Sequence, residues 1–510
     1  MAKKFGSMDI ALPSGKIKST DYIWISVLVG VLVSSCTIFA STLDKKWFVA
    51  FLLAIMGFFA CLILQKYLRE LLLTLAIFVI PLRIDFYIIH NQPGMTASAY
   101  PGLPVTFFDI FFCILLFYWL YQVLRGEETI YFYRSITFPF FIYFFFAFIS
   151  AFESVNYVFS FSAALLILKS YIIFLFFANT IKEKKDILLI VFGLGAGIWM
   201  QGVLGGMQYF GIGSFDEMFG VPESAYRTQM MGEHMLSRVG GTFGHPNSLA
   251  KYLGFCLHVI LAYVLINLRG KGAKFAIMTL LIGGLALLMT FSRATWMAVV
   301  VSMSFLLYQV LRGWLKSRTM SMVMVCVMMT ALAGITLGVF EDVRIRLFES
   351  DYRSAQSRIP MAQVALNVIK HHPLTGVGLN NYSAVMQQYD RTREWQTYQF
   401  PHPVHNSYLL IAAESGIPAL IAFLFLLAAA MAKVKPALKK PGGSLAVLQA
   451  GWFAALLTWL VAALFDRDFA GTNAMLWLTI GMLTAIHRQM TATSPDSVRG
   501  EHDEPSKTEG

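Results

Sequence analysis

The sequence predicts an all-α fold, a polytopic transmembrane bundle of about 12 to 14 helices. The chain has 510 residues, of which 57% are hydrophobic and only 14% are charged, and its mean hydropathy is +0.63. A soluble globular protein cannot bury that much apolar surface, so most of it must face lipid or neighbouring helices. The apolar runs are continuous and lack the alternating pattern of an outer-membrane barrel.

The apolar segments set the expected domain organisation. We expect membrane segments at residues 22–40, 47–65, 70–89, 105–124, 136–152, 158–178, 187–207, 246–268, 274–290, 294–312, 319–340, 405–432, 446–465 and 470–487. Residues 1–20 are polar and do not resemble a cleaved signal peptide, so they are predicted to form a cytoplasmic N-terminal segment. Residues 21–490 then form the transmembrane domain, and residues 491–510 a disordered cytoplasmic tail.

The formal charge of +11 reports orientation rather than a nucleic-acid partner. Lysine and arginine cluster in short loops, at residues 182–186, 269–274, 312–318 and 433–440. Loops of this kind stay on the cytoplasmic side of a membrane. The five cysteines lie apart in apolar segments, which predicts neither a disulfide framework nor a metal site. No cofactor is expected.

Two long loops, residues 208–245 and 341–404, then face outward. Long loops in compact proteins are usually functional or disordered, and the second contains an amphipathic pattern after Pro360, with apolar residues at 361, 364, 365, 368 and 369. We expect this helix to lie on the outer membrane surface and to be stopped by the His-His-Pro sequence of residues 371–373. The following glycines, Gly376 and Gly378, indicate either a plain turn or backbone amides that approach a ligand.

Several polar side chains are expected at the outward ends of helices. They are Arg238, His245, Arg293, Arg358, His402 and His405. Pro246 and Pro403 suit the first turn of a helix, which would place His245 and His405 at helix amino termini. The partial positive charge there disfavours imidazolium, so each histidine would be a neutral group beside an anion site. A histidine that only caps its helix is the alternative, favoured for His245.

Arg293 lies between two apolar segments, on the outward side. An arginine there runs against the positive-inside bias and so needs a separate reason, and its planar fork matches the oxygens of a diphosphate. Arg358 suits the same role, although the loop holds other arginines. Lys169 and Lys251 fall within apolar segments, where a lysine indicates either a functional group or a misplaced boundary.

Residues 240–432 resemble the O-antigen ligase and polymerase superfamily of bacterial membrane glycosyltransferases. The resemblance rests on GTFGHPNSLA at 241–250, which includes His245 and Asn247, on SRATW at 292–296, on Arg358 with the helix and HHPLTGVGLNNY after it, and on HNSYL at 405–409. His405, Asn406 and Gly416 match the ligase pattern, while Ala419 stands where that pattern has Gly, Thr or Tyr.

The resemblance implies a GT-C-like bundle in the bacterial inner membrane with its site on the periplasmic face. Such enzymes move a glycan from an undecaprenyl diphosphate carrier to an acceptor hydroxyl, with inversion and without a metal. Arg293 and Arg358 would hold the diphosphate, and His405 would orient or deprotonate the acceptor. Arg238, His245, Asn247, Gly376, Gly378, His402 and Asn406 are the expected substrate-binding residues.

The acceptor stays open at this point. It is another lipid-linked chain in a polymerase, lipid A core in a ligase, or a protein; the departure at Ala419 favours a polymerase slightly. Membrane lipids and polysaccharide assembly proteins are the other expected partners. The rival class is a multi-pass transporter or flippase for a lipid-linked saccharide, which predicts inverted repeats and a site near the bilayer midplane.

Overall fold

The computed structural model describes residues 67–82, 86–90, 102–212, 228–231, 234–270, 272–348, 357–393, 395–467 and 473–492. The predicted N-terminal segment, the segments 22–40 and 47–65, and the tail beyond residue 492 lie outside the described residues. Chain contacts define two compact units, residues 1–68 and 69–510, and almost all described residues belong to the second.

The described chain is predominantly helical, which confirms the all-α prediction. Its first half contains α1 (Leu68–Phe78), a hairpin of β1 (Phe86–His90) and β2 (Gly102–Val105), α2 (Phe107–Leu124), α3 (Arg134–Ser150), α4 (Tyr157–Thr180), α5 (Lys184–Tyr209), and a hairpin of β3 (Thr228–Met231) and β4 (His234–Ser237). A short 3₁₀ turn, Ala151–Glu153, follows α3, and a second one, Gly241–Phe243, follows β4.

The second half begins at a proline. It contains α6 (Pro246–Ile266), α7 (Ala273–Met289), α8 (Arg293–Leu315), α9 (Arg318–Val339), α10 (Glu341–Phe348), α11 (Arg358–His371), α12 (Tyr382–Val385), α13 (Gln396–Gln399), α14 (Ser407–Ala432), α15 (Lys435–Lys439), α16 (Ser444–Ala462) and α17 (Ala474–Ala492). Thr491 and Ala492, assigned by sequence to the tail, belong to α17.

Nine helices in the described ranges are long and apolar enough to cross a membrane. From α2 onward, the predicted segments match the observed helices to within a few residues. The segment predicted at 70–89 is wrong, because α1 ends at Phe78 and strand β1 follows. Pro81 lies in the turn between them, where its missing N–H and fixed φ oppose continuation of a helix.

Helices α6, α8 and α16 pack against one another around a buried polar cluster. The Nε2 atom of His258 lies 2.8 Å from the Ser302 hydroxyl, which in turn lies 2.8 Å from the Thr458 hydroxyl. All three side chains are at most 1% exposed. Interhelical hydrogen bonds of this kind hold apolar helices in register where the hydrophobic effect does not act.

Helix α11 is the amphipathic helix expected in the long outer loop. Its apolar residues Met361, Val364, Ala365 and Val368 are 6% exposed or less. They pack against the first turns of α14 and the segment around Tyr382. The apolar stripe is therefore covered by protein, so the expectation that it marks a membrane-surface contact is wrong for these residues.

The segment that follows α11 forms backbone hydrogen bonds with α14 at Gly416, where the helix is interrupted. Gly416 has φ 85° and ψ 166°, and the backbone on either side of it bonds to the loop through Val377 N to Ala413 O at 3.0 Å and Ile417 N to Pro373 O at 2.8 Å. A Cβ on Gly416 would lie 2.0 Å from the carbonyl oxygen of Leu374. Glycine is thus required twice, for the positive φ and for the close approach.

Replacing Gly416 by alanine should lower the midpoint of thermal unfolding in detergent. The positive φ alone costs about 1–3 kcal/mol in a non-glycine residue, and the overlap with Leu374 adds to it. The matched control is Gly284→Ala in α7, where an added Cβ meets nothing within 4 Å. Equal unfolding midpoints for the two variants would contradict the proposed docking of the loop.

Candidate functional site

His405 lies immediately before the residue that caps α14. Asn406 occupies the N-cap, and its Oδ1 accepts hydrogen bonds from Tyr408 N and Leu409 N, both at 3.0 Å. Asparagine is among the preferred capping residues because its side chain satisfies free N–H groups of the first turn. The helix therefore begins at Ser407, four residues after Pro403, and the expectation that Pro403 forms its first turn is wrong.

The start of α14 is fastened to the segment that follows α16. Ser407 N donates to Ala463 O at 2.9 Å, the Ser407 hydroxyl donates to Asp466 O at 3.0 Å, and Asn406 Nδ2 donates to Leu464 O at 3.1 Å. These bonds bring Asp466 beside His405, although 60 residues separate them in the sequence. The side chain of Asn406 is thereby occupied by the cap and by Leu464.

His405 is held in its neutral form. Burial lowers the pKa of its imidazole from 6.5 to about 4; the charge of Asp466 opposes this shift, and Arg467, Arg358 and His402 add to it. Its Nδ1 atom is buried and makes no hydrogen bond to any residue within the described ranges. A neutral imidazole can accept a proton at neutral pH.

His245 approaches the same carboxylate from a second helix. It is the N-cap of α6, where its Nδ1 accepts the backbone N–H of Asn247 at 3.1 Å, so the neutral ring carries its proton on Nε2. Burial lowers the pKa of His245 to about 4, with Asp466 opposing and Arg238, Lys251 and Arg467 contributing. The capping role favoured from the sequence is confirmed, and His245 also lies near the charged groups.

Asp466 is the centre of this cluster. Lys251 Nζ lies 3.2 Å from its Oδ2, and the two side chains are 12% and 11% exposed. Burial alone would raise the pKa of Asp466, but the neighbouring Lys251 ammonium outweighs that effect and lowers it. The carboxylate therefore stays charged and places one negative charge between two neutral bases.

Arg238 connects His245 with the turn that precedes Arg293. Its Nε donates to Thr290 O at 2.9 Å and its Nη2 to Asn247 Oδ1 at 2.9 Å. Phe291 adopts φ 51° in this turn, and its carbonyl oxygen accepts from Arg346 Nε at 3.0 Å. Two buried arginines thus brace the turn from which α8 begins at Arg293.

Arg358 reaches the cluster from the outer loop. It is the first residue of α11, the helix packed on the first turns of α14, and its charge contributes to the lowered pKa of His405. Burial also lowers the pKa of His402, with Arg467 as the second cause. Arg358, His402 and His405, three of the predicted site residues, therefore share one neighbourhood.

Gly376 and Gly378 have a packing explanation. A Cβ on Gly376 would lie 2.3 Å from the backbone carbon of Glu414, and one on Gly378 would lie 2.5 Å from Cβ of Ser154. Both have positive φ, 68° and 100°. The structure therefore supports the first interpretation of these glycines, a tight turn. Their role in binding a substrate stays a prediction.

Sequence reasoning missed three residues of the site. Asp466 and Arg467 follow an apolar segment whose end was expected to face outward; the rule that singled out Arg293 applies to Arg467, and a carboxylate beside a membrane segment is itself a signal for Asp466. Glu414 lies inside an apolar helix, and its Oε1 accepts the backbone N–H of Tyr382 at 3.3 Å, which helps to hold the loop on the break in α14. A carboxylate within a membrane helix was a sufficient signal.

Replacing Lys251 by methionine should destabilise the protein by about 3–5 kcal/mol, because it leaves the Asp466 carboxylate buried without its partner. The double variant Lys251→Met with Asp466→Asn should recover much of that loss, since the charge is then also removed. Unfolding in detergent measures both variants. Arg344→Ala is the control, because its pair with Glu341 is 58% and 72% exposed and such pairs contribute less than about 1 kcal/mol. Additive effects of the two site substitutions would contradict the coupling.

The segment from α7 to α14 matches a known family. Residues 278–424 match the family model described as O-antigen ligase, a range that includes Arg293, Arg358 and His405. A comparison with curated proteins gave no match. The match to residues 278–424 confirms the predicted resemblance of this segment to the O-antigen ligase and polymerase superfamily, and the long apolar helices of the described ranges indicate a multi-pass membrane protein.

Proposed function

We propose that the protein is a glycosyltransferase that takes a glycan from an isoprenoid diphosphate carrier, such as undecaprenyl diphosphate, and transfers it to an acceptor hydroxyl. The proposed site lies at the outer face of the bacterial inner membrane. The observation that carries the proposal is the cluster in which neutral His405 and His245 lie beside the Asp466 carboxylate, with arginine side chains around them.

The proposed reaction is one displacement at the anomeric carbon. The acceptor oxygen attacks that carbon, the bond from carbon to the diphosphate oxygen breaks, and the acceptor proton passes to His405. Arg293 and Arg358 bind the diphosphate and stabilise the charge that it gains as it leaves. Attack from the face opposite the diphosphate inverts the anomeric centre. A diphosphate is a good leaving group, so one base and cationic stabilisation suffice for this chemistry, without a metal.

The charge distribution supports these roles. The lowered pKa of His405 leaves it able to accept a proton, and the nearby Arg358 and Arg467 favour a bound anion. Asp466 has the opposite effect on His405: its negative charge stabilises the imidazolium that forms as the proton arrives. We assign Asp466 as a positioning residue, because it acts through the histidines and Lys251.

The acceptor defines three versions of the same reaction. A second lipid-linked glycan makes the protein a polymerase, lipid A core makes it a ligase of lipopolysaccharide assembly, and a protein hydroxyl makes it a protein glycosyltransferase. Ala419, the residue that departs from the ligase pattern, belongs to α14, and its side chain is fully buried. We favour polymerisation in O-antigen or exopolysaccharide assembly on the strength of that departure.

A transporter of lipid-linked saccharides is the competing class. It calls for polar groups near the bilayer midplane that face a pathway. In the described part of the chain, the polar cluster around His258 is fully buried and internally bonded, whereas Arg358, His405 and Asp466 gather where helices begin or end. This arrangement favours chemistry at one membrane face.

Alanine at Arg293, Arg358 or His405 should leave the protein inserted and abolish glycan assembly in a cell lacking its own copy. Loss of an arginine removes stabilisation of the leaving group, and loss of His405 removes the proton acceptor; each is expected to lower the rate at least about 100-fold. Glycan chain length on gels, normalised to the amount of protein in the membrane, measures the effect.

Matched controls for these variants come from the same outer loop. Arg391→Ala and His371→Ala remove an exposed arginine and an exposed histidine and should leave glycan assembly unchanged. Wild-type chain lengths in all three site variants would refute the proposed mechanism. Equal losses in the controls would show that any charge change in the loop impairs the protein.

The fall of kcat/KM at acidic pH should follow the protonation of the buried His405. Because the pKa of His405 is lowered to about 4, its base form predominates above that value. The kcat/KM of transfer should therefore stay level from pH 7 to about 5 and fall as the pH approaches 4. A limb near pH 6.5, the value of an exposed histidine, would contradict the assignment.

Folding must be checked at each pH in that experiment. The unfolded chain protonates these histidines near pH 6.5 and the folded chain only near 4. Their contribution to stability is therefore complete above about pH 6.5 and is lost as the pH falls toward 4. Circular dichroism of the same samples separates loss of catalysis from loss of fold.

A further inference from the structure

A cavity next to the charged cluster has no assigned role. It has a volume of about 110 Å³, room for several water molecules and hence for a small polar group. The first turns of α2, α6 and α17 and the middle of α4 form its walls. Its polar lining consists of Thr106, Asp109, Lys169, Ser248, Lys251 and Asn473.

The position of Lys169 follows from this arrangement. Lys169 lies near the middle of α4, yet it lines the cavity together with the first turns of three other helices. Beyond the outer end of α4, Asn156 N donates to Asn381 Oδ1 of the long loop at 2.8 Å. The outer part of α4 therefore projects past the neighbouring helices toward that loop. Lys169 therefore lies at the level where those helices begin.

Asp109 presents a buried carboxylate oxygen, Oδ1, that receives no well-directed hydrogen bond from the residues that the structure describes. Its Oδ2 accepts from Thr106 N at 2.9 Å, from the Thr106 hydroxyl at 3.1 Å and from Lys169 at 3.2 Å. Its Oδ1 lies 3.1 Å from Lys169 Nζ, but no described group gives it a well-directed hydrogen bond, although the residue is only 8% exposed. A buried carboxylate oxygen of this kind, paired by charge but without a directed hydrogen bond, can accept one from a ligand.

The charges of the cavity are balanced. Lys169 is paired with Asp109, and Lys251 with Asp466. An additional phosphate would be repelled by both carboxylates, and an isoprenoid chain would desolvate the two pairs without replacing the lost hydrogen bonds. A neutral saccharide avoids both the repulsion and the loss of hydrogen bonds, because it has no charge and its hydroxyl groups donate to carboxylates and accept from ammonium groups.

The apolar part of the lining agrees with a sugar ring. It includes the aromatic side chains of Phe108, Phe243, Tyr252 and Phe255. Pockets that bind small molecules combine such apolar walls with a few placed polar groups, and the C–H faces of a sugar pack on aromatic rings. Lys251 belongs both to this lining and to the pair with Asp466, so the cavity adjoins the charged pair beside which His405 lies.

We propose that this cavity is a subsite for a neutral sugar of the acceptor glycan, with Asp109 and Lys169 as its hydrogen-bonding residues. The proposal rests on the proposed transfer function and adds a binding position beside the pair of Lys251 and Asp466. On this proposal, the cavity prefers an uncharged sugar because the positive charges of two lysines and the negative charges of two aspartates cancel there.

The test is protection of a cysteine placed in the cavity. Ser248→Cys is made in a chain whose five native cysteines are replaced by alanine and which also carries His405→Ala, so that binding is measured without turnover. The probe is the repeat-unit oligosaccharide released from its carrier by mild acid, which carries neither lipid nor phosphate. It should slow alkylation of Cys at 248 at least tenfold, while farnesyl diphosphate, an isoprenoid diphosphate without sugar, should not.

Variants of the ion pair identify the binding residues. Asp109→Asn and Lys169→Met should each raise the oligosaccharide concentration needed for protection about tenfold or more, as expected for hydrogen bonds to charged groups. Lys169→Arg, which keeps the pair, is the matched control and should retain protection. Arg391→Cys in the exposed part of the outer loop should show no protection by either probe.

The outcomes separate this proposal from the proposed function. Absence of protection by the oligosaccharide, or protection unchanged in Asp109→Asn and Lys169→Met, overturns the subsite; protection by farnesyl diphosphate alone assigns the cavity to the carrier. Transfer by the chain with native His405 is measured in parallel. Protection without transfer rejects the proposed function alone, and transfer without protection rejects the subsite alone.

Discussion

The buried charge of Asp466 is the constraint on which the arrangement of the helix ends around His405 depends. A carboxylate in that position is costly unless it is paired, and Lys251 supplies the partner from the second turn of α6. The pairing joins the segment after α16 to α6, while the backbone of the same segment bonds the first turn of α14. Three helix ends are thereby held together, and His245 and His405 lie beside one carboxylate.

The interruption of α14 at Gly416 holds the segment that follows α11 against that helix. Gly416 lets the chain after α11 pair with the backbone of a membrane helix, and Glu414 adds a bond to the start of α12. Helix α11 is thus fixed against the first turns of α14, which sets the position of Arg358 at its amino terminus. The described residues after α11 thus pack as part of the folded core, and Arg358 begins a helix that is packed on α14.

Much of this arrangement follows from local sequence, and the remainder depends on folding. The long apolar helices from α2 onward could be located because each apolar run is bounded by polar or breaking residues. Arg293 stood out because a positive charge on the outward side needs a reason. The pairing of Lys251 with Asp466 could not be predicted, because 214 intervening residues separate them and no local pattern reports a contact at that distance. The apolar stripe of α11 was assigned to lipid, because periodicity shows which face is buried but not what covers it.

The central claim is that the outer cluster catalyses transfer from a lipid diphosphate. Its most direct test is incubation of the purified protein in nanodiscs with lipid diphosphate oligosaccharide alone, followed by mass spectrometry of glycan and lipid products. The account predicts free lipid diphosphate together with lengthened lipid-linked chains, or the same release only after lipid A core or another acceptor is added, with inverted anomeric configuration in either case. Intact donor under every acceptor condition, with movement of the lipid across the bilayer, would contradict it.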